Sequence, residues 1–359
     1  MYNLSHSKLF RISHSKSIQW IFPPSTFKGI PHEFPDIRID YFRYEPGTVP
    51  PKACFLSHVH VDHLQGLDGS YGGPFIYCSI ATKRLLLRIE KRRSRRMKLV
   101  EGLDVEFQRT YRHLGPDLGR DVLREIPYNT PTDIQLDPKR TIRVTLFDAN
   151  HCPGSTMFLI ESETTTILYT GDIRAEPWWN RKLAQNSTLN QYCHNNTRKI
   201  STIYLDTTFC SPSLGHSNFP TKMEGASTLI ARLKEYPDNT VFYFDAWTYG
   251  YEELWILLSS ALGSAVHVDK IKYHNYRAIR EFSTYVQGPK LAGSPNNAAL
   301  ESSKIDHGSE GCLTLDSSVQ IHSCERGFCT DLPKDRTVYI IPCVNYDVAE
   351  PGSSIDFGM

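Results

Sequence analysis

One short stretch of the sequence constrains the fold more than any other. The segment Cys54 to Gly69, CFLSHVHVDHLQGLDG, places three histidines and two aspartates directly after an apolar run. Polar side chains are costly to bury without a partner, so four hydrophilic residues in tandem behind a buried strand predict that the protein supplies one. Neutral imidazoles and carboxylates are ligands for zinc. We therefore expect a metal site here, formed in part by His58, His60, Asp62 and His63.

The geometry of an extended chain sharpens this expectation. Successive side chains of a strand alternate between its two faces, so His58 and His60 point to the same side. A turn directly afterwards brings Asp62 and His63 round to the same rim. Four ligands within six residues suggest two adjacent metal ions, which one such segment cannot enclose. The sequence therefore predicts further histidines and aspartates at the ends of later strands.

Two later segments meet that requirement. His151 in ANHCPGS follows an apolar run that ends at Phe147, and Asp172 in LYTGDIR follows a run that ends at Tyr169. A carboxylate has two oxygens, so Asp172 is a candidate bridge between two ions roughly 3.5 to 4 Å apart. By itself, His151 is typical of a histidine in a turn or in the core. By itself, the TGD sequence is typical of a hairpin turn. In combination with HxHxDH, both favour a metal centre.

The apolar runs also predict how the chain is organised. Between Ile37 and Asp206, short apolar runs ended by polar turns predict strands at 53–56, 75–77, 142–146, 157–161, 166–169 and 202–205, with one helix at 81–90. After Asp206 the pattern becomes helices at 222–235 and 251–262 and strands at 241–244, 266–268 and 338–341, with Gly263 placed to end the second helix. Such alternation predicts a parallel sheet covered by helices. The polar segments 185–199 and 292–311 predict surface loops.

The composition limits the classes of function. With 359 residues, 40% of them hydrophobic, the chain is long enough for two domains or for one domain with an insertion. Lysine and arginine number 40 against 39 aspartates and glutamates, so any attraction to nucleic acid has to come from a local patch. The sequence has no apolar run of about 18 residues, and its nine cysteines form no CxxC pair. We expect a soluble intracellular protein with reduced thiols.

One segment provides such a patch. KRRSRRMK holds six basic residues in eight, namely Lys91, Arg92, Arg93, Arg95, Arg96 and Lys98. The ordinary interpretation is a solvated helix end, and the functional ones are a nuclear localisation signal and a surface that follows phosphates. Trp178 and Trp179 leave a similar choice between stacking on unpaired bases and packing between elements, and the proline before them favours packing.

Several segments together resemble a known family. HxHxDH, with YCSIATKRLLL, VTLFDANHCPGSTMFLIE, ILYTGDIR and IYLDTTFC, is similar to the DNA-repair branch of the metallo-β-lactamase superfamily that carries a β-CASP insertion, from about Asp36 to Tyr273. The resemblance implies an α/β fold: an αββα metallo-β-lactamase sandwich with an inserted α/β β-CASP domain. The implied domains are 1–208, with a core from about residue 36, an incomplete β-CASP domain at 209–345, and a tail or start of the return to the first domain at 346–359.

The resemblance also implies roles for individual residues. The implied ligands of one Zn²⁺ ion are His58, His60, His151 and Asp172, and those of a second are Asp62, His63 and the bridging Asp172. Asp40 in RIDYF matches an early aspartate that supports the site. Asp206 in LDTTFC matches the first β-CASP motif, although it also fits a simple turn cap, and His322 in IHSCER resembles the second motif.

The activity that the resemblance implies is a zinc-dependent DNA nuclease of double-strand-break or interstrand cross-link repair. Two zinc ions bring the pKa of a shared water to about 7 and so supply a nucleophile for the phosphodiester. The implied catalytic residues are Asp40, Asp62, Asp172, Asp206 and His322, with Asp62 orienting the nucleophile and His322 assisting the leaving oxygen.

Tyr251 bears on the mode of cleavage. In AWTYGYEEL it stands where exonucleases of the family carry a lysine that holds a terminal 5′ phosphate. Without that charge, endonucleolytic opening of hairpins and overhangs is favoured, with 5′ exonuclease activity in addition. Tyr251 itself is a candidate DNA contact.

Departures from the family pattern leave alternatives open. The third β-CASP histidine is not found, since His322 is the last histidine, so we expect a fragment, a different end or a weakly held second metal. The segment Arg112–Thr132 is also longer than the family's loop. The alternatives are an RNA-processing β-CASP nuclease, a small-molecule hydrolase and a catalytically impaired DNA-repair scaffold. The expected partners are DNA ends, hairpins and overhangs, with repair kinases or ligases, in the nucleus and without a membrane.

Overall fold

The computed structural model describes residues 27–91, 94, 97, 101, 102, 106, 108–118, 120–193, 198–208, 220–246, 249–279, 312–325, 328, 329 and 332–342. Five of the basic residues predicted to contact DNA lie outside these ranges: Arg92, Arg93, Arg95, Arg96 and Lys98. The predicted loop at 292–311 and the segment 346–359 lie outside them too. Residues 27–208 are called the first region below, and residues 220–342 the second region.

The first region begins with a parallel sheet. Its strands, in the order β1-β2-β3-β4, are β1 (Ile37–Ile39), β2 (Ala53–Phe55), β3 (Ile76–Cys78) and β4 (Leu123–Glu125). Helix α1 (Ile80–Leu86) follows β3, and the Ser79 side chain caps it by accepting a hydrogen bond from the Thr82 N–H. The prediction that this helix extends to Glu90 is wrong, because Glu90 forms an antiparallel bridge with Arg109.

A second, mostly antiparallel sheet follows in the first region. Its strands lie in chain order: β5 (Thr132–Asp137), β6 (Arg140–Asp148), β7 (Thr156–Glu161), β8 (Thr166–Tyr169) and β9 (Thr202–Tyr204), with β9 parallel to β8. Between β8 and β9 the chain forms α2 (Pro177–Ala184) and α3 (Ser187–Asn190). Helix α3 corrects the predicted loop at 185–199. The Asn186 side chain accepts hydrogen bonds from the N–H groups of Thr188 and Leu189 and so caps a single turn.

The two sheets of the first region bury their facing sides together. Phe55 of β2 and Phe158 of β7 belong to one apolar cluster, with ring centroids 5.5 Å apart. Helix α2 covers the other side of the second sheet through Trp179, whose indole N–H donates to the Asp148 carbonyl at 2.9 Å. Trp178 packs against the same cluster, which confirms the packing interpretation of both tryptophans.

The second region contains a third sheet whose strands are all parallel. Their order is β12-β11-β13-β10-β14, and their bounds are β10 (Val241–Phe244), β11 (Val266–His267), β12 (Leu313–Thr314), β13 (Ile321–His322) and β14 (Thr337–Ile340). Helices α4 (Lys222–Leu233), α5 (Glu252–Leu262) and α6 (Lys270–Ile279) alternate with the first of these strands. The predicted parallel sheet with helices is confirmed. Gly263, at a φ of +62°, ends α5 as predicted.

The two regions pack against each other over α1. Leu85 of α1, Trp255 of α5 and Ile279 of α6 belong to a single apolar cluster, which also includes side chains of β2, β3 and β10. Helix α1 and the second region together therefore cover this face of the first sheet. Among the described helices, none combines the length and the apolar character needed to cross a membrane.

Candidate metal centre

The predicted tandem ligands lie directly beyond the carboxyl end of β2. His58 is fully buried and His60 is partly buried on the extended segment that follows the strand. A 3-10 turn at Val61–Leu64 then buries His63 and leaves 54% of the Asp62 side chain exposed. The alternation and the turn that the sequence predicts are both present.

Two later loops bring the remaining predicted ligands to the same place. His151 lies in the turn after β6, and Gly154 ends this turn at a φ of +84°, where a Cβ would lie 2.8 Å from the Thr82 backbone nitrogen. The hydroxyls of Ser79 and Thr82 both donate to the Gly154 carbonyl at 2.8 Å, which ties the turn to the start of α1. Asp172 follows β8. Three strand ends thus converge, as the sequence predicts.

Three imidazole nitrogens and one carboxylate oxygen form the first half of the site. His60 Nδ1 lies 3.0 Å from both His58 Nε2 and His151 Nε2. Asp172 Oδ2 lies 3.8 Å from His58 Nε2 and 3.6 Å from His151 Nε2. Ligands about 2.0 to 2.1 Å from a tetrahedral zinc ion lie about 3.3 Å from one another, so this spacing fits a single ion.

The other oxygen of Asp172 belongs to the second half of the site. Asp172 Oδ1 lies 3.3 Å from His63 Nε2, and Asp62 Oδ2 lies 3.7 Å from the same nitrogen. Asp172 therefore faces both halves, in the arrangement of a bridging carboxylate. The six side chains His58, His60, Asp62, His63, His151 and Asp172 are called the histidine–aspartate group below.

Asp40 supports this group from behind. It is fully buried at a φ of +58°, and its Oδ1 accepts the Ser57 N–H at 2.7 Å. Its Oδ2 accepts hydrogen bonds from the Ser57 hydroxyl at 2.7 Å, from His63 Nδ1 at 3.0 Å and from the Tyr169 hydroxyl at 3.1 Å. A carboxylate that receives the Nδ1–H of His63 leaves its Nε2 facing Asp172 and Asp62.

The same hydrogen bonds set the tautomer of His58. Because the Ser57 hydroxyl donates to Asp40, it accepts the Nδ1–H of His58 at 2.9 Å. The lone pair of His58 is therefore on Nε2, which points at His60 Nδ1.

Burial controls the protonation of the histidines. It lowers the pKa of His58 well below the ordinary value, lowers that of His60, and lowers that of His151 to about 3, so these three rings are neutral and ready to act as ligands. Burial also acts to lower the pKa of His63, but Asp40 and Asp172 outweigh it and raise this pKa well above the ordinary value. For Asp172, burial is outweighed by His63 and the other rings, and its pKa falls to about 2.

The geometry and protonation of the histidine–aspartate group fit a bound cation. Neutral rings with converging lone pairs repel one another at 3.0 Å unless a positive ion or proton lies between them. Converging imidazole and carboxylate groups of this kind are typical zinc or related transition-metal ligands.

The predicted Asp206 lies beside this group and acts on the Asp172 loop. Its Oδ2 accepts the N–H of Ile173 at 3.2 Å, and its own N–H donates to the Thr170 hydroxyl at 2.9 Å. Its Oδ1 also accepts the Thr208 N–H, so the turn-cap interpretation holds as well. Asp206 thus fixes the residues on both sides of Asp172.

His322 lies in a different group of donors, within the second region. Its Nδ1 is 3.1 Å from His267 Nδ1 and 3.6 Å from Cys329 Sγ, and its Nε2 contacts the Val319 carbonyl at 2.9 Å. Cys324 Sγ is 3.2 Å from His267 Nδ1 and 2.7 Å from Cys329 Sγ. The donors of His267, His322, Cys324 and Cys329, called the histidine–cysteine group below, lie within 4.8 Å of one another. Among the described contacts, none joins His322 to the histidine–aspartate group.

Sequence reasoning missed three members of the histidine–cysteine group. The available signal was HSCERGFC, in which a histidine and two cysteines fall within eight residues, with His267 far upstream. This spacing is not that of a CxxC pair, and only the pairing of β11 with β13 brings His267 opposite His322.

Two of the seven residues predicted to contact DNA are described. Tyr251 is half-buried and packs edge-on against Phe244, with ring centroids 5.7 Å apart. The Lys91 N–H donates to the Gln108 carbonyl. The Tyr251 ring thus has a packing role, and the DNA contacts stay predictions.

The sequence is similar to those of two named kinds of protein, Artemis and Apollo. No family model matches the sequence. It is 34% identical over 268 residues to the Artemis protein of Gallus gallus, which covers 69% of this chain and 32% of that protein, and 33% identical over 267 residues to the Artemis protein of Homo sapiens, with 69% and 33% covered. It is also 33% identical over 190 residues to the 5′ exonuclease Apollo of Rattus norvegicus, which covers 52% of this chain and 28% of that protein. The chain spans about a third of the length of the Artemis proteins.

Proposed function

We infer that this chain, which belongs to the family of the Artemis and Apollo proteins, is a metal-dependent DNA nuclease that acts in DNA repair. The observation that carries the inference is the bridging position of Asp172, with one oxygen turned to His58 and His151 and the other to His63. Apollo is a 5′ exonuclease, and its similarity to this chain supports a phosphodiester substrate.

The chain's own residues supply two adjacent binding positions. His58, His60, His151 and Asp172 would hold one Zn²⁺ ion, and Asp62, His63 and Asp172 would hold a second. When bound, paired zinc ions supply a nucleophile at neutral pH and neutralise charge on the phosphate. Asp62, half-exposed at the rim, orients the nucleophile. Asp40 holds His63, and Asp206 holds the Asp172 loop.

We assign His322 a structural task instead of acid catalysis. Its described partners are His267, Cys329 and the Val319 carbonyl. Two cysteines and two histidines are a usual ligand set of closed structural zinc sites.

The fold that supports this function is an αββα metallo-β-lactamase sandwich with an inserted β-CASP domain. In favour of it, helices α1 and α2 lie outside two sheets that share one apolar cluster, and the second region packs on the α1 side. We propose residues 1–208 as the first domain, 209–345 as the β-CASP domain and 346–359 as a tail or the start of the return.

The proposed substrates are DNA hairpins and overhangs at broken ends in the nucleus. The position that holds a basic side chain in the exonuclease type is occupied here by Tyr251, whose ring packs on Phe244. A terminal phosphate has less to hold it there, so internal cleavage is favoured over digestion from a 5′ end.

The test is cleavage of a labelled DNA hairpin by the purified chain loaded with Zn²⁺. We expect internal cuts that a chelator abolishes and added zinc restores. His151→Gln should remove the cleavage, whereas His32→Gln, at an exposed histidine away from the site, should keep it. Equal cleavage by both variants would contradict the assignment, and cleavage of the RNA version alone would favour an RNA-processing nuclease.

A further inference from the structure

A loop of the second region reaches the histidine–aspartate group of the first. The carbonyl oxygen of Tyr249 lies 3.3 Å from His60 Nε2. A carbonyl only accepts hydrogen bonds, so His60 Nε2 carries the proton. The lone pair of His60 is then on Nδ1, the atom that lies 3.0 Å from His58 Nε2 and His151 Nε2. The tautomer that allows His60 to bind an ion is therefore set by a backbone atom of the other region.

The next residue of the loop lies against a second ligand. Gly250 has a φ of +119°, and a Cβ there would lie 3.0 Å from the His151 carbonyl oxygen and 3.9 Å from the Cys152 Cβ. A side chain at this position would push the loop away from the turn that carries His151. Glycine thus permits the approach that the Tyr249 contact requires.

A buried network holds the loop in this place. The Gly250 N–H points between both oxygens of Glu252, at 3.0 Å from each, and Glu252 is almost fully buried. The Tyr276 hydroxyl of α6 donates to the same carboxylate. Asn275 donates to the Tyr249 hydroxyl at 3.3 Å, and the rings of Tyr249 and Tyr276 are 5.8 Å apart. These hydrogen bonds anchor the loop to α5 and α6 of the second region, while the Tyr249 carbonyl and Gly250 contact the residues that carry the ligands.

We propose that the segment Tyr249–Glu252 is a positioning element for the metal centre, through which the second region fixes His60 as an Nδ1 ligand and sets the metal affinity of the first region. This rests on the proposed metal centre. Partners that orient a metal-binding histidine through its other ring nitrogen change affinity by roughly 10- to 100-fold when they are lost. The same loop carries Tyr251, so substrate that contacts it would act on the metal centre through the same contact.

Matched glycine variants of the full chain test this role. Gly250→Ala introduces the Cβ that meets the His151 carbonyl, whereas Gly263→Ala, at a positive φ of +62°, introduces a Cβ with no atom within 4 Å. Both are strained, but only the first displaces the loop. Zinc affinity is measured without DNA, by competition with a chelator. Co²⁺ loading separates the two groups, because the thiolate charge-transfer band that is lost in Cys324→Ser belongs to the histidine–cysteine group, whereas the Cys152 thiol beside His58, His60 and His151 is retained in that variant.

We expect Gly250→Ala to weaken binding at the histidine–aspartate group roughly 10- to 100-fold while the thiolate band is unchanged, and Gly263→Ala to leave both alone. Equal affinities for the two variants would overturn the proposal. Absence of DNA cleavage by the unaltered, zinc-loaded chain would instead count against the proposed function, and the two affinities would still decide the role of the loop.

A second measurement keeps the proposal testable if Gly250→Ala does not fold. Nitrogen-15 NMR of the zinc-loaded chain should show His60 with a protonated Nε2 and metal at Nδ1. Tyr276→Phe, which removes one hydrogen bond to Glu252, should weaken binding at the same group by a smaller factor. Metal at His60 Nε2 would refute the positioning role, as would an unchanged affinity in Tyr276→Phe.

Discussion

The histidine–aspartate group of six side chains and the histidine–cysteine group of four differ in the kind of donor atom and in their exposure to solvent. The first uses nitrogen and oxygen donors, and both of its carboxylates remain open to solvent, with 54% of the Asp62 side chain and 33% of the Asp172 side chain exposed. The second uses two sulfurs and two imidazoles, and His322 and Cys324 are buried. Open positions with oxygen ligands suit a reacting site, and four closed ligands suit a structural one.

The two groups also differ in which parts of the protein orient their histidine rings. In the histidine–aspartate group, Asp40 and the Tyr249 carbonyl fix the rings through side chains and a loop from separate regions. In the histidine–cysteine group, His267 and His322 face each other in the register of paired strands β11 and β13, and the Val319 carbonyl orients His322. The geometry of the histidine–aspartate group therefore depends on the contact between the two regions. The geometry of the histidine–cysteine group depends on strand pairing within a single sheet.

Asp172→Asn should give the largest effect, on activity. The amide keeps the size of the side chain but loses the charge shared by both halves of the group, so we expect DNA cleavage to fall about 1000-fold, or about 4 kcal/mol in activation free energy. Rates of hairpin cleavage at saturating zinc measure it. Asp133→Asn, at a surface aspartate paired with Arg143, is the matched control and should cleave normally.

Cys324→Ser should give the next largest effect, on stability. Removing one sulfur should release one metal ion per chain and lower the free energy of unfolding by about 3 kcal/mol, the contribution of a ligand present at about 100 times its dissociation constant. Cleavage per folded molecule should change little. Cys193→Ser, at an exposed thiol outside both groups, is the control. If Cys324→Ser abolished cleavage in the folded protein instead, the division of tasks would be wrong.

Asp40→Asn should weaken metal binding roughly 10- to 100-fold. An amide has a single accepting oxygen, so it cannot accept both the Ser57 N–H, which now binds Oδ1, and the donors of His63 and Tyr169, which now bind Oδ2, and the hold on the His63 ring is weakened. Chelator competition measures the change, with Asp137→Asn at a surface ion pair as the control. Tyr169→Phe removes a single donor and should show a smaller loss in the same direction. An unaltered affinity in both variants would show that His63 is held without Asp40.

The sequence predicts the histidine–aspartate group far better than the histidine–cysteine group. His58, His60 and His63 are close in the chain, and the strands before His151 and Asp172 are clear apolar runs, so the convergence of strand ends is foreseeable. His267 and His322 are 55 residues apart, and their contact arises only from β11 pairing with β13. A strand pairing between distant segments produces no local pattern in the sequence from which this contact could be predicted.

Contacts made by the backbone are also invisible in the sequence. The Tyr249 carbonyl would be present with any residue at that position, and only the glycine after it hints at a close approach. The predicted loop at 185–199 failed for the related reason that one capping asparagine, Asn186, is enough to form the short helix α3.

The metal-free protein offers a smaller, pH-dependent test that sets His63 apart from the other rings of its group. His58, His60 and His151 have lowered pKa values in the folded state, so they favour folding above the unfolded value of about 6.5, and this contribution is lost as the pH falls below it. His63 has a raised pKa, so its contribution is full below about 6.5 and is lost as the pH rises through the folded value. The free energy of unfolding of the metal-free chain should therefore be highest near pH 6.5.

Chemical denaturation at a series of pH values, with chelator present, measures this profile. Each group contributes a slope of at most about 1.4 kcal/mol per pH unit within its own window. In His63→Gln the alkaline decline should disappear while the acid decline remains, because the other three rings are untouched. With zinc bound, the ion takes the place of the His63 proton, and stability should rise with pH instead of falling. A metal-free chain that grows more stable between pH 7 and 8 would mean that Asp40 and Asp172 do not hold His63 in its charged form.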